Sequence, residues 1–371
     1  MASFNMIIPE LPNYITQLGG AEYKGFIISL FALTAALSRP FSGKLTDTIG
    51  RLPVMYIGAT AAMVCSFLYP FVLTLSGFFI LRILHGLSTG FKPTGTTAYL
   101  SDIIAADRVG ELMGLLGLAG SIGMALGPAV GSWIAQAYSI NTMFFVSSAI
   151  ALVSIVIISG MKETKKDTVP FTFSLLKIHP KDMLEKSVMA PAISIFLTSF
   201  SFGIILTLTQ DLSDYLGLKN RGLFFTFLLC SSLFFRIFAG KASDKYGRVK
   251  LLKVAALLLC LAMIIIGFAT NYYVFLGGAV VYGIASGISS PSIMAWTADL
   301  APEKKIGNAM STLFLALEIG IMLGALIGGF IYGNHIDSIK YAVWLGAILA
   351  FFAFLYLQFY NRINIKIPKV N

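Results

Sequence analysis

Apolar stretches of about twenty residues, separated by short polar turns, run the length of the chain, near 1–18, 24–43, 52–71, 73–100, 110–135, 141–160, 187–209, 220–240, 250–269, 272–298, 305–332 and 339–360. About 20 helical residues cross a hydrocarbon core of roughly 30 Å, so the pattern predicts an all-α membrane protein of twelve transmembrane helices. The period-two alternation in segments of about ten residues that a membrane barrel needs is absent. One long polar interruption, 161–186, divides the chain into an N-terminal six-helix bundle, 1–160, and a C-terminal one, 187–371. That linker reads either as a surface helix presenting Phe171, Phe173, Leu175, Leu176 and Ile178, or as a solvated tether.

Composition agrees with the pattern: 57% of the 371 residues are hydrophobic and 12% charged, against about 25% charged in a typical soluble domain. The net charge of +10 would suggest a nucleic-acid partner in a soluble protein, but here it sorts by topology. With the loop at 43–53 placed in the cytoplasm, 19 of the 27 basic residues lie inside, among them Arg108, Lys304, Lys305, Lys366 and Lys369. Both termini are therefore expected in the cytoplasm, with the bilayer and not nucleic acid as the macromolecular environment. Cys65, Cys230 and Cys260 lie far apart in apolar stretches without metal-ligand spacing, so no metal or cofactor is expected. No phosphate loop, HExxH or GxSxG is present, which argues against ATP-driven transport and against an enzyme.

The polar loop Gly43-Lys44-Leu45-Thr46-Asp47-Thr48-Ile49-Gly50-Arg51 returns as Gly240-Lys241-Ala242-Ser243-Asp244-Lys245-Tyr246-Gly247-Arg248, offset by 197 residues. The same offset aligns Arg39 with Arg236, Gly86 with Gly283, Gly90 with Gly287, Asp102 with Asp299, and Gly123, Gly127 and Gly131 with Gly320, Gly324 and Gly328. The halves therefore read as duplicates in one orientation, related by a pseudo-two-fold axis along the membrane normal, with a cavity between them. On this ruler the counterpart of Ser187 falls about ten residues before Met1, so the native chain is expected to begin earlier.

Gly43 and Gly50 permit close helix approach and a tight turn. Asp47 and Arg51, four apart, can pair on one face if that stretch is helical, and Asp47 can also accept N–H groups at a helix start. Asp102 follows Asp47 by the 55 residues that separate Asp299 from Asp244, so each half is expected to form an Asp–Arg–Asp latch. The span at 110–135 carries Gly114, Gly123, Gly127, Pro128 and Gly131. Glycines four apart let backbones approach, and a proline can kink the helix. Its counterpart has Ala325 at the proline position.

Arg82, His85, Thr89, Lys92 and Thr96 fall on one helical stripe that should face a cavity or acidic partners, since buried bases are costly in hydrocarbon. Their counterparts Ala279, Tyr282, Ser286, Ser289 and Ile293 are uncharged. Few acids lie inside spans: Glu10 and Glu318, with Asp211 and Asp214 near the outer end of the seventh. Glu318 or Glu10, beside Arg82 and His85, is the expected proton-titrating carboxylate, and the stripe Arg82, His85, Thr89, Lys92 and Thr96 the expected substrate or counter-charge site; Arg82 in a static ion pair is the alternative. Arg39 and Arg236 are expected to snorkel or join the latch rather than touch substrate.

The doubled loop, matching G-x-L-x-D-x-x-G-R with Ala242 for leucine in the second copy, resembles the major facilitator superfamily, most closely its twelve-span drug and metabolite proton-antiporter branch. Gly114 to Gly131 resembles the G-x8-G-x3-G-P-x2-G antiporter motif of the family's exporters, with Ser132 in place of its last glycine. Arg82 and Gly86 resemble its R-x-x-x-G motif. The resemblance implies that the latch closes the cytoplasmic side in the outward-facing state and that Arg82 serves proton coupling. It also implies a secondary transporter of a bacterial inner membrane, a monomer, exporting a small organic compound against proton entry; the excess of bases over acids inside the spans points to an anionic or zwitterionic one. An importer or facilitator of the same fold, and a non-transporting receptor or lipid-handling protein, are the alternatives; the latter would have no use for a doubled latch.

Overall fold

The computed structural model describes residues 2–103, 109–165, 167–177, 184–302 and 306–363; the charges expected at Arg108, Lys304, Lys305, Lys366 and Lys369 lie outside them. The regular structure described is helical, because backbone groups in hydrocarbon must find their partners within their own segment. The helices are α1 (Ala2–Ile7), α2 (Leu11–Gln17), α3 (Lys24–Thr48), α4 (Arg51–Leu68), α5 (Leu75–Ile103), α6 (Val109–Ala137) and α7 (Ile140–Ser159) in the first half. The second contains α8 (Met189–Tyr215), α9 (Leu223–Tyr246), α10 (Arg248–Gly267), α11 (Tyr272–Leu300), α12 (Ile306–Tyr332) and α13 (Ile339–Ile363). Pro9 and Pro12, which lack N–H donors, separate α1 from α2 by one 3-10 turn, Ile8–Glu10. Among the described residues, nine helical stretches are long and apolar enough to cross a membrane, and α1, α2, α5 and α6 fall outside that set.

Two apolar cores form. One gathers Phe200, Leu208, Phe224, Met263, Phe275 and Val343 in the second half, and the other Ile7, Leu11, Ile28, Tyr69, Phe78 and Phe144 in the first. Ala325 of α12 belongs to the first-half core, so the halves touch there. The 197-residue offset survives in the contacts. A Cβ added at Gly86 would strike the Phe31 carbonyl and one at Gly283 the Leu228 carbonyl, an equivalent pair. Gly90 meets the Ala35 carbonyl as Gly287 meets that of Ser232.

The duplicated loop is mostly helix. α3 runs to Thr48 and α4 restarts at Arg51, with Gly50 between them at φ 120°; its equivalent Gly247 sits at φ 92° between α9 and α10. Both positions lie in the region that favours glycine. Gly43 and Gly240 do not mediate the close approach expected of them here: a Cβ at either would meet nothing within 4 Å.

Over its described residues, which leave out Ile178, the linker is neither the surface helix nor the free tether expected. Val169 N–H donates to the Thr48 carbonyl (3.0 Å) and Lys44 Nζ to the Lys177 carbonyl (2.7 Å). Leu175 and Leu176, on a short 3-10 turn, pack against Leu45, Val54 and Phe91. The described linker is thus strapped along the loop face of the first half.

The glycines of α6 press on the first helix: a Cβ at Gly127 would lie 3.0 Å from the Ala2 carbonyl oxygen, and one at Gly131 would overlap the Met6 carbonyl. Backbone cannot yield as a side-chain tip does. Gly131→Ala should therefore lower stability by about 1–3 kcal/mol in thermal unfolding of the purified protein. Gly277→Ala, where the added carbon meets nothing within 4 Å, is the control. Equal melting of the two variants would contradict this packing.

Candidate functional site

The latch forms in both halves. Arg51 Nη1 donates to Asp47 Oδ1 (2.8 Å) and to the Thr46 carbonyl (2.6 Å), while its Nε donates to Asp102 Oδ2 (2.9 Å). Arg248 pairs likewise with Asp244 and, through Nε, with Asp299 (3.1 Å). Asp47 and Arg51 do not share a helix face as expected. They meet around the Gly50 corner, the aspartate on the last turn of α3 and the arginine on the first of α4. Asp47 is three-quarters exposed, at 75%, and both latches close within their own half.

A residue missed in the sequence completes the first latch. The start of α4 is capped not by Asp47 but by Glu163 of the linker, which accepts the Arg51 N–H (3.0 Å) and Leu52 N–H (2.9 Å). Thr164 Oγ1 donates to Asp102 (2.6 Å). Partial burial pulls the Glu163 carboxyl upward, but backbone N–H groups of Lys165, Arg51, Leu52 and Thr164 outweigh it and hold the group below its ordinary value. The only sequence signal was its place just beyond α7.

At the opposite end of the molecule, charges cross between the halves. Lys24, buried at the start of α3, pairs with Asp211 of α8, and its Nζ also donates to Asn334 Oδ1 (3.1 Å). Its equivalent under the 197-residue offset is Arg221, which pairs with Glu10 of the first half and with Asp214 (2.7 Å). Glu10 is buried and accepts a second bond from Ser132 Oγ (2.7 Å). Glycines seal the two seams: a Cβ at Gly25 would lie 2.6 Å from the Ala325 carbonyl oxygen, and one at Gly222 would overlap Pro128. The proline of the antiporter-like motif and its counterpart Ala325 thus occupy equivalent places in the two seams.

Nearer mid-helix, Arg39 Nη2 donates to Glu318 Oε1 (2.9 Å) across the seam between α3 and α12, with its guanidinium 4.9 Å from the centre of the Phe314 ring. Arg39 therefore pairs with the buried acid rather than joining the latch. Its equivalent Arg236 donates to Ser121 (3.2 Å) and Ser290 (3.4 Å). Among the described residues, the ion pairs that join the halves are Lys24–Asp211, Arg221–Glu10 and Arg39–Glu318.

The basic stripe faces elsewhere. Arg82 is fully buried inside the first half, its Nε donating to the Ile27 carbonyl (2.7 Å), Nη1 to the Tyr69 hydroxyl (3.4 Å), and its guanidinium 4.8 Å from the Phe31 ring centre. A carbonyl, a phenol and a ring face take the place of the expected acid. His85 lies among Phe4, Phe31 and Tyr69 with neither ring nitrogen hydrogen-bonded among the described residues. Lys92 Nζ donates to Ser154 Oγ of α7 (2.6 Å), Thr96 Oγ1 to the Lys92 carbonyl (2.8 Å), and Thr89 is partly buried. The stripe thus does not bring Arg82 to Glu318 or Glu10.

Comparison with known proteins agrees with this architecture. A family model described as the Major Facilitator Superfamily matches residues 1–218 and again 191–368. The multi-drug resistance efflux pump PmrA of Streptococcus pneumoniae is 29% identical over 359 residues, covering 90% of this chain and 86% of its own. The quinolone resistance protein NorA of Staphylococcus aureus is 24% identical over 377 residues, covering 97% and 94%. A crystal structure of a D-xylose–proton symporter superposes with a TM-score of 0.78 at 17% identity, covering 96% and 94%.

Two outcomes test this geometry. A carboxyl held below its ordinary value of 4.5 contributes stability that is present above that value and lost as pH falls through the lowered one. Hydrogen-exchange protection at the Arg51 and Leu52 amides should therefore persist to mildly acidic pH and fade below the ordinary carboxylate range. Glu163→Ala should reduce it about fivefold at neutral pH, the size of a lost helix cap; unchanged protection would contradict the capping role. At the other end, Lys24→Met should leave Asp211 buried without its cation and cost about 3 kcal/mol in thermal unfolding, most of it recovered by adding Asp211→Leu. Additive losses would show that the two do not act as a pair.

Proposed function

The chain belongs to the major facilitator superfamily and is a multi-pass membrane transporter, not an enzyme; from that premise we propose proton-coupled export of a small organic compound by alternating access. In this reading the chain crosses a bacterial inner membrane twelve times, α1 and α2 forming one span, with bundles 1–160 and 187–371 and both termini cytoplasmic. It works as a monomer.

The observation that carries the reading is one-sided closure. At the Lys24 end, buried ion pairs and glycine contacts tie the halves together, while at the loop end each latch is satisfied within its own half. That is what a transporter closed to the outside would hold. Opening the outer side requires parting Lys24 from Asp211 and Arg221 from Glu10, and a latch that then reaches across the inner side would offset the loss. The names of PmrA and NorA support export.

The carboxylates divide between two tasks. Glu10 has two side-chain donors, Arg221 and Ser132, and belongs to the outer seal. Among the described residues Glu318 has one, Arg39, in the seam between α3 and α12, so a single proton would release that ion pair. We assign the coupled proton to Glu318.

Proteoliposomes with an imposed pH gradient test the proposal, with a fluorescent quinolone and ethidium as probes. Gradient-driven accumulation of at least one probe is expected, together with its loss in Glu318→Gln while downhill exchange persists. Flux of both probes indifferent to the gradient, or to Glu318→Gln, would sink proton coupling.

A further inference from the structure

Arg39 and Arg236 are equivalent under the 197-residue repeat, and each points into a seam between the halves, yet their surroundings differ in charge and in bulk. Arg39 has Glu318 as its counter-ion and Phe314 against its guanidinium. The positions equivalent to those two are Ser121 and Gly117. Arg236 accordingly finds Ser121 where Arg39 finds an acid, adds Ser290 at 3.4 Å, and has no ring in place of Phe314. Among the described residues no carboxylate lies within ion-pair distance of Arg236; its Nε, like that of Arg39, is buried without a hydrogen-bond partner, so the two differ in the missing counter-charge.

A guanidinium keeps its charge in any protein environment, and a charge held within a membrane span is costly unless matched. Two hydroxyls supply acceptors but no negative charge. We propose that Arg236, with Ser121 and Ser290, is the receptor for a carboxylate or other singly charged anionic group of the transported compound. The guanidinium offers a planar fork that suits a carboxylate, and the serines supply further donors.

The neighbouring surface indicates the rest of the ligand. A cleft between the halves is lined by Asn5, Met124, Pro128, Phe202, Phe225 and Leu229. Met124 lies one turn from Ser121 on α6, and Leu229 two turns from Arg236 on the same face of α9. The cleft as it stands has room for about one water, about 10 Å³, so an apolar or aromatic body would lie along these faces once the seam parts, with its anionic head at Arg236. The seams then have separate tasks, an internal carboxylate at Arg39 and an external one at Arg236. The proposal rests on the transport reading for its purpose but not for its test, which measures binding alone.

The test uses the purified full chain in detergent and three probes of one shape: 1-naphthoate, neutral 1-naphthamide and cationic 1-naphthylmethylammonium, followed by equilibrium dialysis. Naphthoate should bind about tenfold or more tightly than the other two, the difference a charge-assisted contact makes. Arg236→Gln should erase that preference and Arg236→Lys retain part of it. Should Arg236→Gln fail to fold, Ser121→Glu provides an independent check, since it recreates at this seam the acid that Arg39 already has. It should leave the chain folded and remove the preference for naphthoate. Equal affinity for the three probes, no saturable naphthoate binding, or a preference untouched by Ser121→Glu would overturn the proposal. Anion-selective binding by a protein whose fluxes ignore the pH gradient would leave this site standing and defeat only the coupling.

Discussion

A charge inside a hydrocarbon slab must meet an opposite charge or equivalent dipoles, and that constraint orders this molecule from one face to the other. At one end Lys24 and Arg221, related by the internal repeat, each reach into the opposite half for an acid. Neither Asp211 nor Glu10 has an acidic equivalent, for the repeat places Tyr14 and Thr207 there. The crossing therefore depends on positions that diverged after duplication, whereas the bases doing the crossing are common to both copies. Parting the halves at this end would deprive buried Glu10 and part-buried Asp211 of their cations.

The opposite end obeys the same rule with different geometry. There the arginine of each latch collects two aspartates and a local oxygen of its own half, around a corner that only a glycine at positive φ turns easily. A latch satisfied locally does not hold the halves together. It holds the corner rigid, and in the first half the linker adds Glu163 and Thr164 to that corner. The second latch has no such strap among the described contacts, so the two copies differ in what a movement of the linker would reach.

Much of this was legible in the sequence, and the part that was not has a common cause. The helices, the break at 161–186, the doubled loop and its Asp–Arg–Asp spacing all follow from periodicity and from a single offset, which are local or repeated properties. Glu163 and the Lys24–Asp211, Arg221–Glu10 and Arg39–Glu318 pairs are contacts between segments that no offset relates. The stripe from Arg82 to Thr96 shows the limit most clearly. Its angular spacing identified a face of α5 correctly as one face, but spacing carries no information on what covers that face. Around Arg82 it is covered by Ile27, Tyr69 and Phe31, which supply a carbonyl, a hydroxyl and a ring face and leave Nη2 without a hydrogen-bond partner among the described residues.

Divergence between the copies is concentrated where symmetry would be a hindrance. A pseudo-two-fold along the membrane normal, which the 197-residue repeat implies, would exchange the two seams but keep each side of the membrane in place. At the Lys24 end the bases and glycines that close the two seams occupy equivalent positions and can stay alike. A transported molecule is not two-fold symmetric, and a cavity between identical seams would present it with two equal and opposite sites. Where Arg39 meets Glu318 and Phe314, the positions equivalent to them are Ser121 and Gly117, so the two arginines of the repeat do not have equal counterparts. Proline at 128 against alanine at 325 likewise distinguishes the seams in shape. The asymmetry of the interior is thus compatible with, and is permitted by, the symmetry of the closures that frame it.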